Sequence, residues 1–379
     1  MNICKFIPIA IIASASIYAN EELAQKSCCY KRKPVEQVCP QPKPCESSPT
    51  IEAYNAPFKH NLADSAYNVW ADASFIYWQP TEDNLEFGMS VDSVIGTGGD
   101  HLALSGRIVN MDFDFMPGFK VGSGVTFKRD NWDLYAEYTW LHGHDQKSSD
   151  GGAFGLEPMY PDVNTIANYI GSGPIFYGIG KAKWKIKLDF LDLDLGRNYY
   201  VGKYLTFHPY FGLRGAWIRQ SIHGLYQIAL APNFIDLKDG TVSWAVGPKL
   251  GFDANWDLSS GWKIISNGSA DLLYTRYSEI YRSTTFNPKT TPASLPLKIS
   301  EHPMHTVRAH MDIELGLGWG TYLDCKNLYL DLGATYDFQV FFGQNMFRKF
   351  FVGSGVPSSL LCAGNLYIQG LNVKAKLDF

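Results

Sequence analysis

The chain has 379 residues, a formal net charge of −4, 18% charged side chains and a mean hydropathy of −0.14. Its Lys and Arg are scattered, which excludes the concentrated basic face that a nucleic-acid partner requires. With 22 Tyr, 23 Phe, 10 Trp and 35 Gly it favours strands and tight turns over helices, and its length admits two ordinary domains or one large all-β domain.

The first residues, MNICKFIPIAIIASASIYAN, carry one positive charge at Lys5, an apolar core from Phe6 to Ala13 and small residues at Ala15, Ser16 and Ala19. This pattern predicts a secretory signal peptide over 1–19. A membrane anchor would need about 20 predominantly apolar residues, and Ser14, Ser16 and Asn20 interrupt the run. An exported chain without helical spans is periplasmic, secreted, or a transmembrane barrel.

Residues 20–66 are of another kind. SCCYKRKPVEQVCPQPKPCESSP holds Cys28, Cys29, Cys39 and Cys45 among prolines and a basic cluster at Lys31, Arg32 and Lys33. Such sequence reads as an extended periplasmic segment that buries no core. No pair is spaced as CxxC, so disulfides, within the chain or between chains, are expected rather than zinc. The spacing leaves their connectivity open.

From Tyr67 to Phe379 the residues alternate with a period of two. Val109, Met111, Phe113, Phe115, Phe119, Val121 and Phe127 share one parity, against Asn110, Asp112, Asp114, Lys120 and Thr126. The runs Val242–Trp256, Val307–Trp319 and Leu328–Val340 behave likewise. Any half-buried sheet alternates, but soluble strands span only about 5 to 6 residues, and these runs are far longer and carry aromatic rings near their ends. Strands are expected near 68–79, 107–127, 131–142, 181–200, 204–220, 241–257, 261–280, 303–322, 327–342 and 364–379. Short turns such as KRDN, VGK, LSSG and DCKN then alternate with long connections near 80–106, 143–180, 221–240, 281–302 and 343–363. The expected fold is all-β: a transmembrane antiparallel β-barrel of the bacterial outer membrane, with short periplasmic turns and long extracellular loops. It has at least ten strands, in the range 10–16, because Leu85, Phe87, Met89 and Val91 show that loops could hide more.

The chain ends LNVKAKLDF, with Leu371, Val373, Ala375, Leu377 and Phe379 in one phase. The last strand must close against the first, since lipid tolerates no open edge. Phe379 resembles the C-terminal signal that outer-membrane proteins offer to the barrel assembly machinery.

The stretches DFMPGFKVGSGVTFKRDNWDLYAEYTWLH (114–142) and LDLDLGRNYYVGKYLTFHPYFGLRGAWI (191–218) resemble the pore-forming outer-membrane proteins of the Legionella major outer-membrane type. MOMP-like proteins of environmental chlamydiae are similar in the same places. The resemblance covers most of 67–379 and implies an outer-membrane pore without naming its solute. Chlamydial envelopes are characteristically disulfide-linked, which implies an intermolecular role for Cys28, Cys29, Cys39 and Cys45, with other envelope proteins or a second copy as partners besides membrane lipid. No cofactor or metal is expected.

The lumen is the candidate site. Lys183, Lys185, Lys187 and Asp189 share one parity, but Asp192 and Asp194 have the other. Because charge facing lipid is costly, a β-bulge near Phe190 and Leu191 is expected to return both sets to the inner wall. The expected pore lining is then Lys183, Lys185 and Lys187 at the outer mouth, with Asp112, Asp114, Arg214, Asp253, Arg308, Asp312, Glu314, Asp331 and Asp337 at several depths. A wall of both signs predicts a weakly selective porin for ions and small hydrophilic solutes. The alternative is a mainly structural or adhesive barrel with a closed lumen, since about 8 strands leave an interior that side chains just fill. The histidine groups, His142 and His144 beside Asp145, and His302, His305 and His310, lack an accompanying nucleophile, so no catalytic residue is expected.

Overall fold

A computed structural model describes residues 67–95, 102–127, 131–160, 163, 177–202, 204–228, 233–287, 295–323, 328–353, 356–361 and 364–379. The expected signal peptide, the segment 20–66 with Cys28, Cys29, Cys39 and Cys45, and also Cys325 and Cys362, lie outside the described residues.

Alternation builds ten long strands: β1 (Tyr67–Glu82), β2 (Met116–Phe127), β3 (Trp132–Ser149), β4 (Tyr177–Arg197), β5 (Leu205–Ile228), β6 (Phe234–Ser259), β7 (Trp262–Asn287), β8 (Met304–Leu323), β9 (Leu328–Asn345) and β10 (Gly364–Asp378). Each pairs antiparallel with its neighbour in the chain, and β10 pairs β1 with Trp70 opposite Asp378 and Tyr77 opposite Leu371. The sheet therefore has no open edge within the barrel, as lipid demands. Phe379 seals the seam by exchanging backbone hydrogen bonds of 2.9 and 3.1 Å with Val69. At the end that holds both termini of the barrel, β6 and β7 are joined by a tight turn. Between β6 and β7, Ser260 and Gly261 have φ of 53° and 84°, the paired positive values of a type I′ hairpin.

The opposite end carries the long connections and, by the rule for such barrels, faces outward from the cell. A hairpin of Gly88–Ile95 and Leu102–Val109 fills the first connection, and the short strand Leu156–Pro158 adds to it. The residues Leu85 to Val91 thus build a loop hairpin rather than further barrel strands. The single strand expected over 107–127 is divided, with residues 110–115 outside any strand.

Polarity changes along the barrel axis. On the lower part of β5, Phe211, Leu213 and Trp217 face outward while Arg214 faces in; past Trp217, Arg219 and His223 face outward and Ile218, Ile222 and Tyr226 are buried inside. β4 does the same: Leu191 and Leu193 lie outside Asp192 and Asp194, whereas Lys185 and Lys187 lie outside buried Trp184, Ile186 and Leu188. The strands outrun the membrane. Where lipid surrounds them the outer face is apolar, and where water surrounds them the apolar side chains turn inward, as in any water-soluble core.

This overturns the expected bulge and the expected lysines. The β4 ladder runs unbroken from Gly180 to Gly196 against β5, with Asp192 and Asp194 inside and Lys183, Lys185 and Lys187 on the outer face. The mistaken premise was that every charge in a barrel strand must avoid the outside; above the bilayer there is no lipid to avoid. A register shift sits instead in β7, where Ser278 is passed over between Tyr277 and Glu279 and donates its hydroxyl to the Val242 carbonyl at 3.1 Å.

An outer aromatic ring marks the boundary, with Trp140, Trp217 and Trp244 near one level: Asp189 pairs with both Trp140 and Trp217, and Trp217 pairs with Trp244. Trp132, Trp256 and Trp262 mark the lower boundary on the outer face. Leu250, midway between Trp244 and Trp256 and exposed on that face, therefore lies at the lipid midplane. Leu250→Arg is predicted to cost about 2–4 kcal/mol, and Ser221→Arg, above the outer ring, about 0–1 kcal/mol. Urea titrations of the barrel refolded in vesicles check this, and equal costs at the two positions would contradict the boundary.

Candidate functional site

The lower half of the barrel encloses a polar chamber of about 300 Å³. Its side chains come from the inward parity of all ten strands, so charged groups meet across the lumen that are far apart in sequence. Near the lower mouth His208 lies between two carboxylates, 3.0 Å from Asp133 and 3.0 Å from Asp253, and Lys263 pairs with Asp331. Higher up, Lys374 reaches Asp72 at 3.2 Å. The Tyr135 hydroxyl contacts Asp72 at 3.0 Å and Glu137 at 2.9 Å. Beside this group Asn267 and Asn372 each donate to Glu314 at 2.6 Å, and Lys120 stands 3.7 Å from Asp337.

The chamber ends at a layer of buried charge. Arg214 donates two parallel hydrogen bonds to Asp192, Nε to Oδ1 at 2.7 Å and Nη2 to Oδ2 at 2.6 Å, and a third from Nη1 to Asp271 at 3.0 Å. Lys249 reaches Asp192 and Asp194, each at 2.9 Å. His310 Nδ1 lies 2.8 Å from Asp271, and its ring rests 3.9 Å from that of Phe341. Bidentate Arg–carboxylate geometry fixes direction as well as energy, and the second cation on Asp192 ties the inner faces of the neighbouring strands β4, β5 and β6 together.

Above this layer an apolar cluster fills the interior along β1, β3 and β4, with buried polar groups such as Glu82, Gln220 and the Arg282–Asp239 pair beside it. Ile76, Trp78, Leu141, Trp184, Ile186, Leu188 and Phe341 are buried together. The outer connections fold inward to join them, contributing Leu85, Phe87, Met111, Leu156 and Phe347. Tyr226 donates its hydroxyl to the Phe87 carbonyl at 2.7 Å, which fastens the first connection to β5. The plug therefore belongs to both strands and loops.

The expected lining residues divide accordingly. Arg214 is the centre of the charged layer, and Asp253, Asp312, Glu314 and Asp331 line the chamber, with Asp337 buried beside it. Arg308 faces in but higher, 3.3 Å from the Met346 sulfur. Asp112 is exposed and pairs with Lys147 outside the chamber, and Asp114 is exposed too, its backbone N–H donating to Asp145. Both were placed on an inner wall because 107–127 was expected to be one strand. Asp192 and Asp194 face the lumen as expected, though without the bulge, and the expected lining omits Lys120, Lys249, Lys374, Asp271 and His208, although each has the polar parity of a lower strand half.

The histidine groups do not converge. His142 faces outward, 3.1 Å from Asp189, and His144 is exposed while Asp145 is buried. His305 contacts the Tyr274 hydroxyl at 2.5 Å on the outer face, whereas His310 is inside. Among the described residues no group of His, Cys, Asp and Glu has the arrangement of a metal site.

A closed antiparallel barrel with an apolar belt, aromatic rings at two levels and charged residues in the lumen is the build of an outer-membrane β-barrel protein. Residues 63–379 match the family described as the Legionella pneumophila major outer membrane protein precursor, and the chain belongs to that family. No curated protein matches. Among solved structures, a major outer membrane protein from Thermus thermophilus is similar at 11% identity and a TM-score of 0.29, covering 83% of this chain and 100% of the other. The outer membrane protease OmpT from Escherichia coli is similar at 10% identity and a TM-score of 0.35, over 85% of this chain and 99% of its own.

Two carboxyl groups lie above the outer aromatic ring, clear of the lipid. Burial pushes the Asp145 pKa up to about 6, although the Asp114 N–H donates to it at 3.2 Å. Burial likewise holds Glu82 well above the usual carboxylate range against a 2.9 Å hydrogen bond from Gln220. A carboxyl whose folded pKa is raised favours the fold while protonated, so this stabilisation is complete below an ordinary Asp pKa of about 4 and fades as pH rises through about 6. The plug end should therefore loosen between pH 5 and 7.5. Hydrogen exchange, corrected for intrinsic rates, should show less protection of the outer ends of β1, β3 and β5 at the higher pH, and Asp145→Asn should shrink the difference. Protection that rises with pH would contradict the assignment.

Proposed function

We propose that the protein is a channel for ions and small hydrophilic solutes that rests closed, with a polar chamber open toward the periplasm and an apolar plug toward the outside. The observation that supports a channel is the set of ionisable side chains lining the half within the bilayer. Ionisable side chains at membrane depth are expensive and mark solute or ion paths, and a barrel of purely mechanical purpose has no need of them. Their mixed signs suit weak selectivity rather than a single-sign filter.

The closed state follows from packing. Ten strands give a lumen only slightly wider than one that side chains fill, and the rings of Phe190 on β4 and Phe341 on β9 meet inside it at 5.4 Å. Passage requires the plug to part. A second reading, a structural or adhesive barrel permanently closed, is favoured by the same plug, because loops that supply core residues are rigid presenters of their own surface. Intermolecular disulfides through Cys28, Cys29, Cys39 and Cys45 are a further part of the proposal that the family resemblance suggests.

Planar-bilayer recording separates these readings. The parent should give brief, small steps. Trp184→Ser, Ile186→Ser and Leu188→Ser combined should raise conductance and open time several-fold, since all three side chains fill the plug while the lipid belt of β4 is left intact. Silence from both proteins would establish the permanently closed barrel, and large steady openings of the parent would contradict the plug.

A further inference from the structure

The lysines displaced from the lumen form a surface of their own. Lys181, Lys185 and Lys187 are exposed and Lys183 half-buried on the outer face of β4, two residues apart and so about 7 Å apart along the strand. In the ladder Lys187 stands opposite Arg219 of β5, and His144 of β3 stands opposite Lys185. None of these lysines, nor Arg219, has an ion-pair partner among the described residues. The nearby carboxylates are already engaged: Asp189 by His142 at 3.1 Å and Tyr138 at 2.7 Å, and Asp236 by His223 at 3.0 Å and Lys238 at 3.7 Å.

Depth gives this patch its meaning. Trp140 and Trp217 pair with Asp189 at the outer aromatic ring, and the next outward-facing residue on β4 is Lys187. The cations begin one step above the hydrocarbon and climb away from it, at the level where lipid head groups lie. The wall formed by β8, β9, β10 and β1 carries neutral side chains at the corresponding height, such as Gln79, Thr81 and Gln369 on its outer face. Among the described residues the row of cations on β4 and β5 has no counterpart on that wall.

We propose that Lys183, Lys185, Lys187 and Arg219 bind the phosphates of a phosphorylated glycolipid in the outer leaflet. Its acyl chains would lie on the apolar band of Leu191, Leu193, Phe211 and Leu213, and its phosphates would meet the ladder above the aromatic ring. A glycolipid head group taller than one phosphate suits cations stacked at several heights, and unpaired cations in a row offer charge-assisted hydrogen bonds to successive phosphate oxygens. The binding is independent of whether the lumen conducts.

The folded barrel in detergent micelles supplies the test, with bis-phosphorylated lipid A as probe and the same lipid A stripped of phosphate as its control. The parent should bind the phosphorylated form at least tenfold more tightly. Changing Lys183, Lys185, Lys187 and Arg219 to Gln should remove that tenfold preference while heat-modifiable migration on gels shows an intact barrel. Changing the three lysines to Arg should preserve it. If the Gln variant does not fold, the parent's preference for phosphorylated over stripped lipid still decides. Equal binding of the two lipids by the parent, or unchanged binding by a folded Gln variant, would overturn the site, and displacement of lipid A by equimolar inorganic phosphate would overturn the lipid as its occupant.

Discussion

A charge held against hydrocarbon costs free energy, and this single constraint orders the molecule. Within the bilayer it sends Asp192, Arg214, Lys249, Asp271 and His310 into the lumen, where they must satisfy one another. Above the bilayer it lapses, and the hydrophobic effect takes over on the same strands, drawing Trp184, Ile186 and Leu188 inward and leaving lysines outside. The strand geometry does not change between the two regimes, for the β4 ladder passes through without a break. Only the surroundings change.

The two halves depend on one another at the Arg214 layer. A buried ion pair stripped of one partner loses about 3–5 kcal/mol, so the layer is stable only while Arg214, Asp192 and Asp271 remain within hydrogen-bond range. The apolar plug above keeps water from entering from outside and competing for those bonds. In turn the charged layer fixes the positions of β4, β5 and β7, on which Phe190, Ala216 and Leu273 carry the plug upward. Chamber, charged layer and plug are one packed unit, so a change in any of them disturbs the other two.

Much of the fold was legible because period two survives in both regimes. The ten strands, the tight turn between β6 and β7 and the seam between LNVKAKLDF and β1 could be read from residues alone. Strand length could not, since the outer halves keep the alternation while exchanging which parity is polar; Ile222 and His223 fall in the long connection expected near 221–240, although β5 runs on to Ile228. The site was legible where the polar parity lies in a lower half, as for Arg214, Asp312, Glu314 and Asp331, and misread where it lies above, as for Lys183, Lys185 and Lys187. A usable signal was present in KAKWKIKLDFLDLDLGR: buried-type rings and aliphatic chains alternate with lysine in its first half and leucine alternates with Asp in its second, which marks a boundary crossed and not a register broken. The shift at Ser278 has no such signature, because Arg276 and Glu279 read alike on either face.

Along β4 the lumen wall changes from polar to buried apolar where the strand leaves the bilayer. Nitroxide side chains placed singly from position 183 to 193, in a background with all 7 cysteines replaced by serine, test it by their collision rates with oxygen and with a water-soluble nickel chelate. Positions 185 and 187 should respond to the chelate, 191 and 193 to oxygen, and 184, 186 and 188 weakly to both. Strong chelate collisions at 186 and 188 would show an open, water-filled outer lumen and contradict the account.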